Sequence, residues 1–360
     1  MSQIGLHFRK LLLAFIVFLG CSAVTYAEQV LNILTWEEYL SPEVKSAFEQ
    51  QTGIELRIAY FDSDEMRDQI LSSQAGRYID IALMDSQQMN LYTAQNRLAE
   101  LNPSLLPNLQ HLDPSIHRAC NATDQVYGVA YSWGTLGVVY RADLVKPEDI
   151  DSWSKFLNPP TYLRGHIAGH VDLFDSLIPA LISLNHPINT NKVEHLREAF
   201  ELSKLWLPNV RTLEYIITAA QSYPEFNQLF AALAYSGDQK ILNELSGSEQ
   251  WRYLLPSDGS LLWTDCFTVI SQSQNQAAAV QFLNFIQQPE NAALNAEYTH
   301  TATPNLAALP LTSEQYRQDP LVHISEPQLK QLQPYAPVTI DAINLRSRIL
   351  SALEKIHATQ

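Results

Sequence analysis

Residues 30–39 read Val-Leu-Asn-Ile-Leu-Thr-Trp-Glu-Glu-Tyr, and this stretch, together with residues 42–85, decides the fold. Residues 30–34 are a short apolar run of strand length that breaks into an acidic, aromatic loop at Trp36. Residues 42–52 place Val44, Phe48 and Thr52 on one helical face and stop at Gly53. Residues 54–61 alternate with the period of a strand. A helix over 66–73 and a strand over 79–84, ending at Asp85, continue the pattern. Strands alternating with helices predict an α/β domain on a mainly parallel sheet. Open sheets of this kind bind ligands at the carboxyl ends of their strands. The Trp36 loop falls at such an end.

Further along, residues 131–137 (Tyr-Ser-Trp-Gly-Thr-Leu-Gly) turn aromatic and glycine-rich, as a crossing between domains would. A second α/β region comes next. It has a strand-like 165–169, a helix over 173–184 opened by Asp172, further helices over 193–207 and 223–232, and a segment 229–235 leading into Gly237-Asp238. Residues 261–270 alternate as a strand and read as the return crossing. Residues 276–287 form a helix with Ala279, Phe282, Leu283 and Ile286 on one face, and 340–357 a terminal helix. No internal repeat or low-complexity tract is present.

The amino terminus reads as an export signal. Arg9 and Lys10 precede an apolar run over 11–19, too short to span a bilayer, and Thr25-Tyr26-Ala27 offers a small-residue cleavage pattern. A signal peptide over 1–27 leaves 333 of 360 residues, enough for roughly two domains. Gly20-Cys21 keeps open a lipoprotein anchored at Cys21. The formal charge is −15, and becomes −17 once Arg9 and Lys10 are removed. Such acidity excludes nucleic acid, whose phosphates need a basic surface, and suits cationic ligands. Cys120 and Cys266 remain; the default reading is two buried thiols, with a disulfide open to them in an oxidising compartment. No zinc spacing or cofactor motif occurs. His166 and His170 have metal-compatible helical spacing, but Gly165 and Gly169 argue for strand or turn.

Four clusters couple a carboxylate to an aromatic ring: Trp36-Glu37-Glu38-Tyr39, Asp172-Leu173-Phe174-Asp175, Tyr235-Ser236-Gly237-Asp238 and Trp263-Thr264-Asp265. Carboxylates hold ammonium groups by charge-assisted hydrogen bonds, and aromatic faces hold cations and methylene stems. Brought together in a cleft, the clusters would suit a linear aliphatic polyamine. Asp265 carries most weight, because an acid inside an apolar strand needs a partner or a polar cleft. Asp172 has a competing role as a helix N-cap, Asp175 sits where a helix end stabilises carboxylates anyway, and Asp238 follows glycine as turn residues do. No nucleophile elbow, phosphate loop or metalloprotease motif accompanies these acids, so the reading is of a binder and not an enzyme. A secreted carboxylate-dependent hydrolase is the remote alternative.

The stretches 34–39, 51–54, 78–80, 132–135, 263–265, 282–285 and 303–308, taken in order and spacing, resemble the periplasmic substrate-binding proteins of polyamine transporters, the spermidine- and putrescine-binding type. The resemblance covers nearly all of the chain after residue 27. It implies a two-lobed α/β periplasmic binding protein fold, each lobe a mainly parallel sheet flanked by helices and joined by crossing strands. The first lobe would take 28–131 and 265–309, the second 132–264 and 310–360. The matching positions imply a ligand site of Trp36, Glu38, Tyr39, Asp85, Asp172, Asp175, Tyr235, Asp238, Trp263 and Asp265. Tyr235 stands where tryptophan is usual, Asp85 and Gln87 replace a serine and an aromatic or small residue, Thr301 stands where tyrosine is common, and no glutamine appears near Tyr335. The implied partners are a polyamine and an ABC permease, for a monomeric periplasmic protein. Some members of the family are instead polyamine or norspermidine sensors that report to a membrane-bound cyclic-di-GMP enzyme.

Overall fold

A computed structural model describes residues 29–359, apart from 62, 123, 124, 320, 321 and 323. The expected signal peptide and Cys21 lie outside the described residues. Among the described residues there are twelve strands: β1 (Gln29–Trp36), β2 (Ile54–Phe61), β3 (Ile81–Asp85), β4 (Asn121–Ala122), β5 (Gln125–Val126), β6 (Gly128–Arg141), β7 (Ile167–Ala168), β8 (Val210–Thr212), β9 (Ala231–Tyr235), β10 (Trp251–Leu254), β11 (Ser260–Val269) and β12 (Leu332–Pro334). Strands β4 and β5 pair only with each other; the rest join in the order β2-β1-β3-β11-β6-β9-β7-β8, with β10 on β6 and β12 on β11.

The opening stretch folds as its pattern predicts. β1 runs parallel to both β2 and β3, so it is central and mostly buried. The helix Pro42–Thr52 starts on a proline, whose missing N–H costs nothing at that position, and ends at Gly53 in the left-handed region with φ 71°. Its Phe48 is fully buried against Phe282, ring centroids 5.3 Å apart. The next helix is Asp64–Ser72, which begins two residues before the sequence pattern indicates.

Two strands carry the chain between two cores. On β6, Val129, Ala130 and Tyr131 belong to a core with Leu31, Phe48 and Phe282, whereas Leu136, Val138 and Tyr140 belong to a second with Trp153, Leu181 and Ile349. On β11, Cys266, Phe267 and Val269 lie in the first core and Leu261 in the second. The two strands pair antiparallel along this crossing, where Gly134 faces Trp263. A Cβ at Gly134 would stand 2.3 Å from the Trp263 ring, so only glycine admits the indole there.

Three expectations need correction. The segment over 173–184 is not one helix: a 3₁₀ turn, Asp175–Leu177, leads into the helix Ile178–Ser183, which has Pro179 in its first turn. The segment 223–232 is not one helix either: it holds only the 3₁₀ turn Phe226–Gln228 before β9 begins at Ala231. Pro224 interrupts it, the helix lies earlier at Ile216–Ser222, and the small buried residues of β9 slot between β6 and β7. Cys120 and Cys266 are not free thiols but a disulfide, with Cα atoms 5.7 Å apart across a sequence separation of 146. The 3₁₀ turn Arg118–Cys120 packs under β6 and β11 and delivers Cys120 to that position.

Candidate functional site

One wall of the site is a row across three strands. Asp265 on β11 pairs with Asp85 on β3 and with Ser132 on β6. Directly paired residues project to the same face of a sheet, so the three side chains stand together. The β11–β6 register shifts immediately after Asp265, where Cys266 pairs with Ala130 and Tyr131 is passed over. Bulges of this kind re-aim a side chain. Tyr131 donates its hydroxyl to the Tyr39 carbonyl at 2.7 Å and so braces the loop after β1. Tyr39 in turn donates to Asp265 Oδ2 at 2.7 Å, with its hydroxyl 2.9 Å from Ser132 Oγ.

Asp85 ends β3 and caps the helix Ser86–Ala94, its Oδ1 accepting from the amides of Gln87 at 2.6 Å and Gln88 at 2.8 Å. Beside it the helix Asp64–Ser72 presents Asp64, paired at 2.6 Å with Arg67 one turn on. Arg67 also bonds Asp68 at 3.1 Å and lies 5.7 Å from the Phe61 ring, on which Trp36 packs at 4.3 Å.

The opposite wall comes from the second core. Asp172 Oδ1 accepts from the amides of Phe174 at 2.7 Å and Asp175 at 2.8 Å and so closes the turn ahead of the 3₁₀ segment, whereas the N-cap of the helix Ile178–Ser183 is Leu177 and not Asp172. This turn drives Asp175 into the interior, 2% exposed, where it accepts from the hydroxyls of Tyr235 at 2.7 Å and Tyr335. Tyr235 OH also lies 3.3 Å from His170 Nε2. Asp238 accepts from Tyr215 OH at 2.7 Å and the Tyr235 amide at 2.8 Å, holding the end of β9. Trp263 meets Tyr235 edge-on at 6.5 Å, and its Nε1 is buried without a hydrogen-bond partner.

These acids are starved of positive charge. Burial, then repulsion from Asp64, pushes Asp85 up to about 8 against the pull of Arg67. Asp64 rises to about 6 through burial, with Asp172 opposing its ionisation from the other wall. Asp265 rises to about 6 because it is buried, although the Tyr39 hydrogen bond favours its charged form. Asp175 lies well above the usual carboxylate range through burial and the charge of Asp172, with Asp85 adding to it. Asp238 is raised to about 6 by burial alone, against two hydrogen bonds. A cation placed between the walls would relieve the repulsion and return the acids to the charged form.

Of the residues that the sequence singles out, Tyr39, Asp85 and Asp265 meet on one wall, and Asp172, Asp175, Tyr235 and Trp263 on the other. Asp238 sits behind Tyr235 with Oδ2 engaged twice. Trp36 backs Phe61. Glu38 stands apart: it is exposed, adopts a left-handed φ of 55°, and its charge is felt by Tyr298. His166 stacks on Phe230 at 4.1 Å, a packing role, and no group of metal-ligating side chains occurs among the described residues. The sequence reading did not pick out Asp64, Arg67, Ser132, Tyr215, Tyr335 or Arg346. Asp64 and Arg67 look like any helical ion pair one turn apart.

The chain matches the model of the bacterial extracellular solute-binding proteins over residues 43–324. It is 31% identical over 324 residues to the norspermidine sensor of Vibrio cholerae, covering 90% of this chain and 88% of that protein. It is 26% identical to the putrescine-binding periplasmic protein SpuD of Pseudomonas aeruginosa over 350 residues, 91% of this chain and 93% of that one. Its fold superposes with a TM-score of 0.79 on the spermidine/putrescine ABC transporter substrate-binding protein PotD of Streptococcus pneumoniae, at 26% identity, over 91% of this chain and 99% of that one. With its two cores, its crossing strands and a family match over most of its length, the chain belongs to the bacterial extracellular solute-binding proteins.

Proposed function

We propose that the protein binds a linear polyamine between its two lobes, outside the cytoplasm, without turning it over. One observation carries this reading. Asp64, Asp85 and Asp265 on one wall and Asp172 and Asp175 on the other stand within reach of one another's charge, Asp175 buried and the others half-buried, with too little positive charge among them. A chain of ammonium groups spaced by methylenes supplies that charge. Asp265 would take a central or first-lobe amine, and Asp172 with Asp175 the far end. Trp263, Tyr235 and Tyr39 would flank the methylenes, adding about 0.8 kcal/mol for each CH₂ buried. Trp36 and Asp238 would support from behind. The lobes would divide at 28–131 with 265–309 and 132–264 with 310–360. A ligand touching both walls only when they are close together would shift the population toward closure.

Titration calorimetry of ligand-stripped protein with putrescine, cadaverine, spermidine, norspermidine and spermine tests this, with lysine and arginine as controls. Micromolar or tighter binding of one polyamine is expected; no heat with any of them overturns the reading. Turnover of a glycoside or amide by the purified protein would overturn the non-catalytic part.

Delivery to a membrane ABC permease is the first reading of the output. The 31% identity to a norspermidine sensor favours a second, in which the liganded protein docks on a membrane-bound cyclic-di-GMP enzyme. Deleting the gene separates them. Loss of labelled polyamine uptake supports transport; unchanged uptake with altered biofilm formation supports sensing.

A further inference from the structure

Arg67 is out of place in a cleft for cations. Its side chain is only 1% exposed, so it is not an ordinary surface partner for Asp64. Asp68 holds the guanidinium from the outer side at 3.1 Å, and Tyr92 OH holds Asp68 at 2.9 Å. Phe61 covers another side at 5.7 Å. The group is therefore fixed at the end of the first-lobe acid row, and its field reaches Asp85 and Asp265 as well as Asp64. A second guanidinium, Arg346, is 1% exposed behind the other wall, 5.6 Å from the Phe174 ring, with Asp172 and Asp175 in its field. Each wall thus contains a built-in cation. Asp68 is 41% exposed and screened by solvent. Once a bound ligand has drawn all five aspartates into the charged form, Arg67 offsets one and Arg346, which bonds the Ile188 carbonyl, offsets another through its field. Three carboxylate charges are then left for the ligand.

We propose that Arg67 is a specificity-determining residue: its guanidinium holds the place that a fourth ammonium would take, so the cleft selects triamines over tetraamines. This rests on the polyamine reading above. A fourth ammonium would have to approach a fixed like charge in a site of low dielectric, a cost that does not fall on a triamine. Arg67→Met removes the repulsion and leaves Asp64 free to accept an amine.

The test is calorimetry of the full protein, Arg67→Met, Arg67→Lys and Asp64→Asn, each with putrescine, norspermidine, spermidine and spermine. The wild type should bind a triamine more tightly than spermine. In Arg67→Met the spermine-to-triamine affinity ratio should rise roughly tenfold or more, and in Arg67→Lys it should stay within about threefold of wild type. Asp64→Asn lowers the charge from the other direction and should move preference toward putrescine by roughly tenfold, which keeps the idea testable should Arg67→Met fail to fold. A merely structural Arg67 would weaken all ligands together and leave the ratios unmoved; that result, or a wild type that prefers spermine, overturns the proposal. A wild type that binds no polyamine overturns the reading beneath it, whereas normal binding with unmoved ratios in both variants overturns this inference alone.

Discussion

Tyr39 and Asp265 are 226 residues apart in sequence, and their hydroxyl and carboxylate meet at 2.7 Å. The bond joins the loop after β1 to the crossing strand β11, and through Ser132 to the other crossing strand. It places an acid of raised proton affinity at the point where both lobes are tied together.

Asp265→Ala should therefore be the most damaging single change to ligand binding. Removing a buried, hydrogen-bonded charge partner costs roughly 2–5 kcal/mol. A micromolar ligand has only about −8 kcal/mol in all, so affinity should fall to the edge of calorimetric detection. Tyr39→Phe removes one neutral donor and should cost about 0.5–1.5 kcal/mol. Wild-type affinity in Asp265→Ala would place the ligand elsewhere.

Glu38 provides the contrast. It is exposed and lies outside the acid row. Glu38→Gln should change polyamine affinity by less than about threefold, the scale of a solvent-screened charge. A large loss in the same titration would mean that its loop swings inward when ligand is bound.

Binding should depend on pH in a defined direction. Asp64 and Asp265 are raised to about 6 and Asp85 to about 8. Near pH 7 some of these groups hold protons that an ammonium ligand would displace. Affinity should rise from pH 5 to 8, and binding heats at pH 7 should vary with the ionisation enthalpy of the buffer as protons are released. The stability of the empty protein has the opposite trend. These acids bind protons more tightly folded than unfolded, so their contribution falls as pH rises from about 4 to about 8. Melting temperature should drop over that window without ligand and flatten with it.

The Cys120–Cys266 bridge closes a loop over a sequence separation of 146. On the chain-entropy argument, reduction should cost up to about 5 kcal/mol. Urea unfolding with and without reductant measures it. Cys120→Ser with Cys266→Ser should reproduce the reduced midpoint and become insensitive to reductant.

Gly134→Ala should disturb the site without touching a charge, because its Cβ would reach 2.3 Å from the Trp263 ring. Overpacking of this kind costs about 1–3 kcal/mol. The displaced indole should appear as a change in tryptophan fluorescence together with weakened binding.

Much of the site was legible where an acid sits against its local pattern. Asp265 stands out because it interrupts an apolar strand, and Tyr235 because its ring lies in one cluster with Asp238. Asp172 carried two readings, and its bonds to the amides of Phe174 and Asp175 give it a structural role in the turn, though not as the cap of the helix. Tyr215, Ser132 and Arg67 were not legible, because a tyrosine, a serine or a helical ion pair occurs on any surface. Their roles come from facing Asp238, Tyr39 and Asp64 inside the molecule. The helix expected over 223–232 failed for a related reason: the apolar, alanine-rich residues at its end satisfy either period, and the slot between β6 and β7 makes Ala231–Tyr235 a strand.

Local information was enough for the α/β alternation, the crossing segments and the acid–aromatic clusters. Each depends on periodicity or on the chemistry of neighbouring residues, which a linear chain displays directly. The Cys120–Cys266 pairing, the bulge after Asp265 and the gathering of five aspartates around two guanidiniums depend on contacts between segments more than a hundred residues apart. Burial and like-charge repulsion act on distance in space. The shifted proton affinities come first from burial in the folded chain, and repulsion between the walls adds to them.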